Sequence, residues 1–448
     1  MKIPILPGFQ ASSFKKYLLN TGWIMGARVG SIVIKTIVSV FALPNYLGAS
    51  GNGILHYPLV LVTFFTAASA LGLDSFVTRE LLVAPEKNGK ILGTAFCLRL
   101  IAGLICLPLI FLCYLIISKI APTPPATPFT YIAIVSTLCV SQAIHIIDCF
   151  FQAKIMGKIS LYAQVGANLL SAGIKLTLIY LQAPISIFIW SLALDGVILA
   201  IFYTTLYQRV SPGLKHWSFD WQLAKNLLKK SWPLAFSSLA ILIYMKIDQL
   251  MIEAYLGENT LGIYTTVVQL SEGWYFIPMA LVTSLFPAIM HARKENLPLY
   301  EKRMQQLYQL MSIIGITLAL FTTIAAPYIY QYLFKPEYYT ATPILQIHVW
   351  GSVFMFLYVA SGQYLIAEGY TNLALIRSVL GMVCNISLNL IWIPKHGMAG
   401  AAYATIITYM CSTLFIVFIS KTRNQGLMLV KALFFIPILQ KYIFISKR

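Results

Sequence analysis

Hydrophobic residues run along this chain in long blocks. Windows of about 19 residues resolve twelve candidate helices, with limits near 17–43, 57–78, 91–117, 129–152, 160–181, 185–207, 232–255, 261–290, 304–326, 344–366, 374–394 and 399–420. Blocks longer than the usual 20 residues predict tilt or extension beyond the bilayer. Between Gln208 and Ser231 lies the longest inner connection, in which Phe219–Lys230 is polar and amphipathic, suited to a membrane surface. The tail segment Leu427–Ile445 is apolar but interrupted by Lys431, Pro437 and Lys441, and reads as interfacial, with a thirteenth and partial fourteenth span as the alternative.

Composition agrees. Hydrophobic types make up 59% of the 448 residues and charged types 10%, against roughly 25% charged in a soluble domain. Too few charges remain to cover a water-facing surface, which excludes a soluble enzyme, a disordered chain and a disulfide-rich secreted domain. The expected class is all-α: a polytopic helical membrane protein of about 12 transmembrane helices in two pseudo-symmetric six-helix bundles around a central cavity. The seven cysteines all lie in apolar stretches with no CxxC pair and read as core residues. The six histidines show no metal-ligand spacing, so no metal or cofactor is expected. Lys15 and Lys16 precede an apolar stretch too long for a signal core, so no cleavable signal is expected.

The net charge of +18 changes the picture in one respect. It does not indicate nucleic acid, because the basic residues alternate from connection to connection. Twenty-three fall on one side: the N-terminus, the 2–3, 4–5, 6–7 and 8–9 connections, and the tail. Only Lys119, Lys335 and Lys395 fall on the other. The positive-inside rule then places both termini in the cytoplasm, and the basic side suits anionic lipid head groups.

Two segments match at an offset of 209. Tyr46-Leu47-Gly48 precedes Gly53-Ile54, and Tyr255-Leu256-Gly257 precedes Gly262-Ile263 at the same spacing. Each follows the first helix of a six-helix half, marking an outer turn where glycine permits tight geometry. Six spans is an even number, so the halves run in the same sense, as in transporters built from parallel repeats. The expected organisation is an N-terminal bundle 1–210, a basic linker 211–231, a C-terminal bundle 232–420 and a basic tail 421–448.

Twelve charges fall inside spans: Arg28, Lys35, Arg99, Lys175, Lys246 and Arg377, with Asp74, Asp148, Asp195, Asp248, Glu253 and Glu272. A charge at the bilayer centre costs ~2.5–3.5 kcal/mol on insertion scales. Six cations facing lipid would cost roughly 15–20 kcal/mol, more than a typical domain's stability. They must pair, snorkel or face water. Arg28 and Lys35 share a face of span 1, as do Lys246 and Glu253 of span 7, with Asp248 on the opposite side. Cations at mid-depth on repeat-equivalent helices suggest a central site for an anion. Arg99, Asp148 and Asp195 also fit interhelical pairs that fix packing, and His145 with Asp148 fits either a proton relay or a packed polar pair. Glu272, Gly273 and Pro278 predict a kinked span 8 with freed carbonyls.

The run Lys246-Ile247-Asp248-Gln249-Leu250-Met251-Ile252, with Tyr255-Leu256-Gly257 and Gly262-Ile263-Tyr264, resembles the start of the second half of Wzx-type polysaccharide flippases. So do Ser271–Met279, Gly72-Leu73-Asp74-Ser75 with Arg79-Glu80, and Gly397–Thr405. The likeness covers nearly the whole chain, in order. It implies the oligosaccharide-flippase branch of the multidrug/oligosaccharidyl-lipid/polysaccharide exporter superfamily, with two six-helix bundles and an inverted-V cavity. It implies a substrate, an undecaprenyl-pyrophosphate-linked oligosaccharide, moved from the cytoplasmic to the periplasmic leaflet of the bacterial inner membrane for O-antigen or capsule synthesis. Expected partners are that lipid, membrane lipids and H+ or Na+, with the polysaccharide polymerase machinery a further candidate. Arg28, Lys35, Lys246, Arg99 and Arg377 are then the candidate pyrophosphate cations, and Asp248, Glu272 and Asp74 the candidate ion-coupling acids. A drug or cation exporter of the same superfamily would want an acid-dominated cavity, and a lipid II-type flippase usually has fourteen spans. A membrane glycosyltransferase, polymerase or ligase would need catalytic groups on an outer loop, where only Glu258 and Glu337 are available.

Overall fold

The computed structural model describes residues 26, 30, 33, 34 and 36–434, apart from 212. All regular elements among them are helical. A π-helical run over Thr36–Ala42 enters α1 (Leu43–Ser69), followed by α2 (Asp74–Val83), α3 (Asn88–Ile120), α4 (Phe129–Ser136), α5 (Leu138–Ser141), α6 (Ile147–Ala153), α7 (Gly157–Tyr180) and α8 (Ile185–Val210). Then come α9 (Trp221–Glu272), α10 (Phe276–Glu295), α11 (Leu297–Leu333), α12 (Ala341–His348), α13 (Gly351–Ala367), α14 (Thr371–Leu414) and α15 (Arg423–Leu433).

Eight helical stretches among the described residues are long and apolar enough to cross a membrane. Three of them carry a left-handed glycine inside: Gly48 in α1 (φ 72°), Gly257 in α9 (φ 81°) and Gly397 in α14 (φ 58°). The chain folds back at these points. Lys246 and Glu272 are 26 residues apart yet meet at 2.5 Å, where a continuous helix would separate them by ~39 Å. A Cβ on Gly400 would overlap the backbone of Trp392 and Ile393, so α14 also reverses. Helices α9 and α14 therefore each hold two arms long enough to cross, and the 24-residue α7, whose Lys158 and Lys175 lower its hydropathy, is long enough for a further one; of the arm before Gly48 in α1, the continuously described part is 36–47. The chain is a multi-pass, all-helical membrane protein. Helix α3 exposes Ile101, Leu104, Ile105 and Leu112 by about half, a surface suited to lipid.

The Tyr-Leu-Gly repeat is a tight turn at both places. Gly48 and Gly257 have nearly the same conformation, with ψ 174° in both. The two copies also pack reciprocally. A Cβ on Gly53 would overlap the Glu258 carbonyl, and one on Gly262 would overlap the Ala49 carbonyl. Gly53 corresponds to Gly262 and Ala49 to Glu258 at the offset of 209, so the contact is two-fold symmetric.

The first such turn is tighter than the pattern suggests. The stretch 44–56 reads as a connection because Asn45, Ser50, Asn52 and His56 dilute its hydropathy, but only Gly48 leaves the helix. Asn52 is buried, and its amide donates to the Gly262 carbonyl at 2.7 Å and to Thr265 Oγ1 at 3.0 Å. Helix α9 likewise begins inside the segment read as a linker. The Asp220 carboxylate caps it by accepting from the Leu223 N–H at 2.7 Å. Lys90 pairs with the same carboxylate, and together they hold it below the ordinary carboxylate range. The tail helix α15 docks by Tyr308 Oη donating to Gln425 Oε1 at 3.1 Å, with Leu429 and Ala432 fully buried.

The chain divides into two compact units. One holds the residues up to Leu47 and Ile54–Leu239, around a core that includes Leu73, Leu92, Phe151 and Tyr207. The other holds Gly48–Gly53 and the chain from Ala240, around Tyr244, Tyr308, Phe356 and Tyr409.

Gly262→Leu should lower stability by about 1–3 kcal/mol, because the Ala49 backbone cannot move away without breaking α1. Gly173→Ala, whose Cβ meets nothing within 4 Å, should change it by less than about 0.5 kcal/mol. Fluorescence-detected unfolding in detergent measures both; equal effects would contradict the packing.

Candidate functional site

In the second unit, helix α9 ends at Glu272 and α10 restarts at Phe276, with Pro278 in its first turn, where no helical N–H is required. The reversal at Gly257 sets the two arms of α9 side by side and brings Glu272 onto Lys246, and the two form an ion pair at 2.5 Å. Their side chains remain 22% and 16% exposed. Two residues on, Asp248 is fully buried, accepting from Tyr264 Oη at 2.6 Å and from the Gln249 N–H at 2.9 Å. At the end of α12, buried His348 shares a hydrogen bond of 2.9 Å with Ser271 Oγ and packs edge-on against the Tyr264 ring. Lysine, two carboxylates, tyrosine and imidazole thus form one polar cluster inside an apolar bundle. Glu253, seven residues from Lys246, is also buried.

Arg377 lies elsewhere in that unit, 3% exposed. Its guanidinium sits 3.8 Å from the centre of the Tyr358 ring, donating to Ser361 Oγ at 2.9 Å and to the Tyr358 carbonyl at 3.3 Å. Neutral dipoles and a π face hold this cation.

In the first unit, the break at Ala70–Leu73, with Leu71 and Gly72 at positive φ, places Asp74 at the start of α2. Asp74 Oδ1 accepts an ion pair from Arg99 at 2.8 Å; Arg99 is 3% exposed and the Asp74 side chain 63%. Lys175 pairs with Asp195 at 2.5 Å, and Ser171 bridges the two. Asp148 accepts from Ser160 at 2.6 Å and Gln152 at 2.7 Å.

Of the candidate cations, Lys246 and Arg99 are therefore engaged with carboxylates, Arg377 is held by neutral groups, and Arg28 and Lys35 lie outside the described residues. Of the candidate acids, Glu272 faces Lys246, Asp74 faces Arg99, and Asp248 is locked to Tyr264. Sequence spacing did not single out Tyr264, Ser271 or His348 as members of the cluster. Their only signal is that each is a hydrogen-bonding side chain in an apolar run, which many other residues share.

The sequence profile described as polysaccharide biosynthesis protein matches residues 17–293, and one described as MatE matches 233–391. An uncharacterized membrane protein of Methanocaldococcus jannaschii is 28% identical over 41% of this chain and 43% of its own length. A "probable low-salt glycan biosynthesis flippase" of Haloferax volcanii is 25% identical over 46% of this chain and 43% of its own. The chain thus spans less than half the length of these relatives. Among solved structures, an inward-facing multidrug resistance MATE family transporter of the MOP superfamily superposes with a TM-score of 0.65 at 15% identity, covering 90% of this chain and 99% of that one. At that identity the likeness is one of fold.

The Arg99–Asp74 pair should respond asymmetrically. Asp74→Ala strands a buried guanidinium and should cost about 3–5 kcal/mol. Arg99→Met leaves an exposed carboxylate that can be solvated, and should cost about 1 kcal/mol or less. Thermal unfolding of the two variants decides; equal losses would contradict the burial asymmetry.

Proposed function

Because this chain belongs to the polysaccharide biosynthesis protein family, we propose that it is a flippase for undecaprenyl-pyrophosphate-linked oligosaccharide repeat units, supplying O-antigen or capsule synthesis at the bacterial inner membrane. The observation that carries this reading is the Lys246–Glu272 pair. A pyrophosphate cannot cross hydrocarbon without a counter-charge. Lys246 supplies one and is only partly buried, so an incoming anion can compete for it with Glu272. Once displaced, the Glu272 carboxylate is an uncompensated charge in a low-dielectric bundle, and it takes up H+ or Na+. Substrate binding and cation uptake are thereby tied together at one pair of residues. Asp248, anchored by Tyr264, keeps the local field negative and favours the same uptake.

Arg28 and Lys35, on the repeat-equivalent helix, are the further cations proposed along the pyrophosphate's path. Arg99 and Arg377 serve as secondary anchors, and Asp74 as a second coupling acid. The bodies proposed to move in transport are the bundles 1–210 and 232–420, joined by 211–231, with both termini and the basic tail 421–448 cytoplasmic. Alternating access of this kind leaves the polyprenyl chain in the bilayer while the head group passes.

In proteoliposomes loaded with a lipid-linked oligosaccharide, Lys246→Ala and Lys35→Ala should each slow flipping by about 100-fold, the loss of a charge-assisted contact to the substrate, at unchanged membrane insertion. Wild-type flipping in both variants would overturn the assignment. Absent flipping by the unaltered protein, with gradient-driven efflux of cationic drugs, would favour the exporter reading instead.

A further inference from the structure

The first unit contains an open cavity of about 390 Å³ lined by Asp74, Arg99, Gln142, His145, Asp148, Gln164, Asn168 and Tyr203, with Ala70 and Leu199 also in its wall. Its construction is local. Between α5 and α6 the chain winds as a 3-10 turn over Gln142–Ile146. Side chains three apart eclipse in such a turn, so Gln142, His145 and, one step on, Asp148 present to the same side. Gln164 and Asn168, four apart on α7, present likewise. Asp74 precedes basic Arg79, Asp148 precedes Lys154, and Tyr203 is two turns before Arg209, so the cavity lies towards the basic side of the unit.

We propose that this cavity binds a single neutral pyranose residue, the proximal sugar of the lipid-linked head group, a proposal that rests on the flippase reading and names the part of the substrate the first unit reads. Three features carry it. The lining mixes fixed acceptors and donors at close range: Asp148 accepts from Ser160 and Gln152 but keeps lone pairs, Gln164 bonds Tyr203 Oη at 3.1 Å, and Gln142 bonds Thr66 and Ser69. Vicinal hydroxyls, each donor and acceptor, are what such planar amides and carboxylates pair with. Secondly, His145 Nε2 and Arg99 Nε are buried without a hydrogen-bond partner, an arrangement that costs free energy unless a ligand meets them. Thirdly, Tyr203 and Leu199 supply an apolar patch for a sugar's C–H face.

Size and charge narrow the class. Ligand sites run from roughly 300 to 1,000 Å³, so 390 Å³ suits one sugar ring and not an oligosaccharide. Asp74 is already neutralised by Arg99, and the lone Asp148 would repel a hexuronate. A bare monovalent cation would fill little of the space and would face the Arg99 guanidinium. Neutral hexoses and N-acetylhexosamines remain.

The test uses the full chain in nanodiscs and methyl glycosides of glucose, galactose, mannose and N-acetylglucosamine, followed by saturation-transfer NMR. At least one glycoside should bind at millimolar concentration, and Asn168→Leu, Gln164→Leu and the cavity-filling Leu199→Trp should each weaken it by about tenfold or more. Unchanged unfolding midpoints certify the variants. Absence of transfer to every glycoside, or transfer equal in all three variants, overturns the proposal, as does stabilisation by sodium alone. Flipping of lipid-linked oligosaccharide by the unaltered protein is measured in parallel. Flipping without glycoside binding removes only the sugar site. Glycoside binding that the variants weaken, without flipping of any lipid-linked substrate, supports the site and removes the flippase reading.

Discussion

A cation placed within a bilayer must be compensated by the protein around it, and the architecture follows from where those compensations are made. Each described cation inside a span has its own solution. Lys175 is held by Asp195 and Ser171, Arg99 by Asp74, Lys246 by Glu272, and Arg377 by the ring and carbonyl of Tyr358 with Ser361. The first two tie neighbouring helices of one bundle. Lys246 differs in that the cation itself stays partly accessible, 22% against 8% for Lys175 and 3% for Arg99. A cation that an incoming anion can reach can change partners without dismantling a core.

Helix breaks do the positioning. Regular helices would carry Asp74, Glu272 and Asp148 past their partners. The interruptions at Ala70–Leu73, Gly257 and Gln142–Ile146 instead bring those carboxylates within reach of their partners. Backbone groups freed at membrane depth are tolerated where protein surrounds them. The same rule explains the crowded glycines after these turns, where Gly53 and Gly262 let two backbones touch across a local two-fold.

Much of this is written in the chain. The apolar blocks and the Tyr-Leu-Gly repeat are local patterns, and such patterns report helices and tight turns faithfully. Pairings across crossings are not local. Spacing on one helix sets Lys246 beside Glu253, whereas the fold brings it Glu272 after the reversal at Gly257. Polar residues mislead in the other direction. Asn52 looks like a loop residue but is buried against Gly262 and Thr265, and Asp220 looks like linker but starts a helix. Hydropathy averages over side chains without knowing which of them find partners.

The central claim is that one anionic head group and one cation trade places at Lys246 and Glu272. It is tested most directly by titrating detergent-solubilised protein with a polyprenyl-pyrophosphate-linked oligosaccharide in weakly buffered solution, with and without sodium, while recording pH and sodium activity. Uptake of about one cation per substrate bound, lost in Glu272→Gln while binding persists, is the predicted result. Binding that takes up neither proton nor sodium, or uptake that survives in Glu272→Gln, would contradict it.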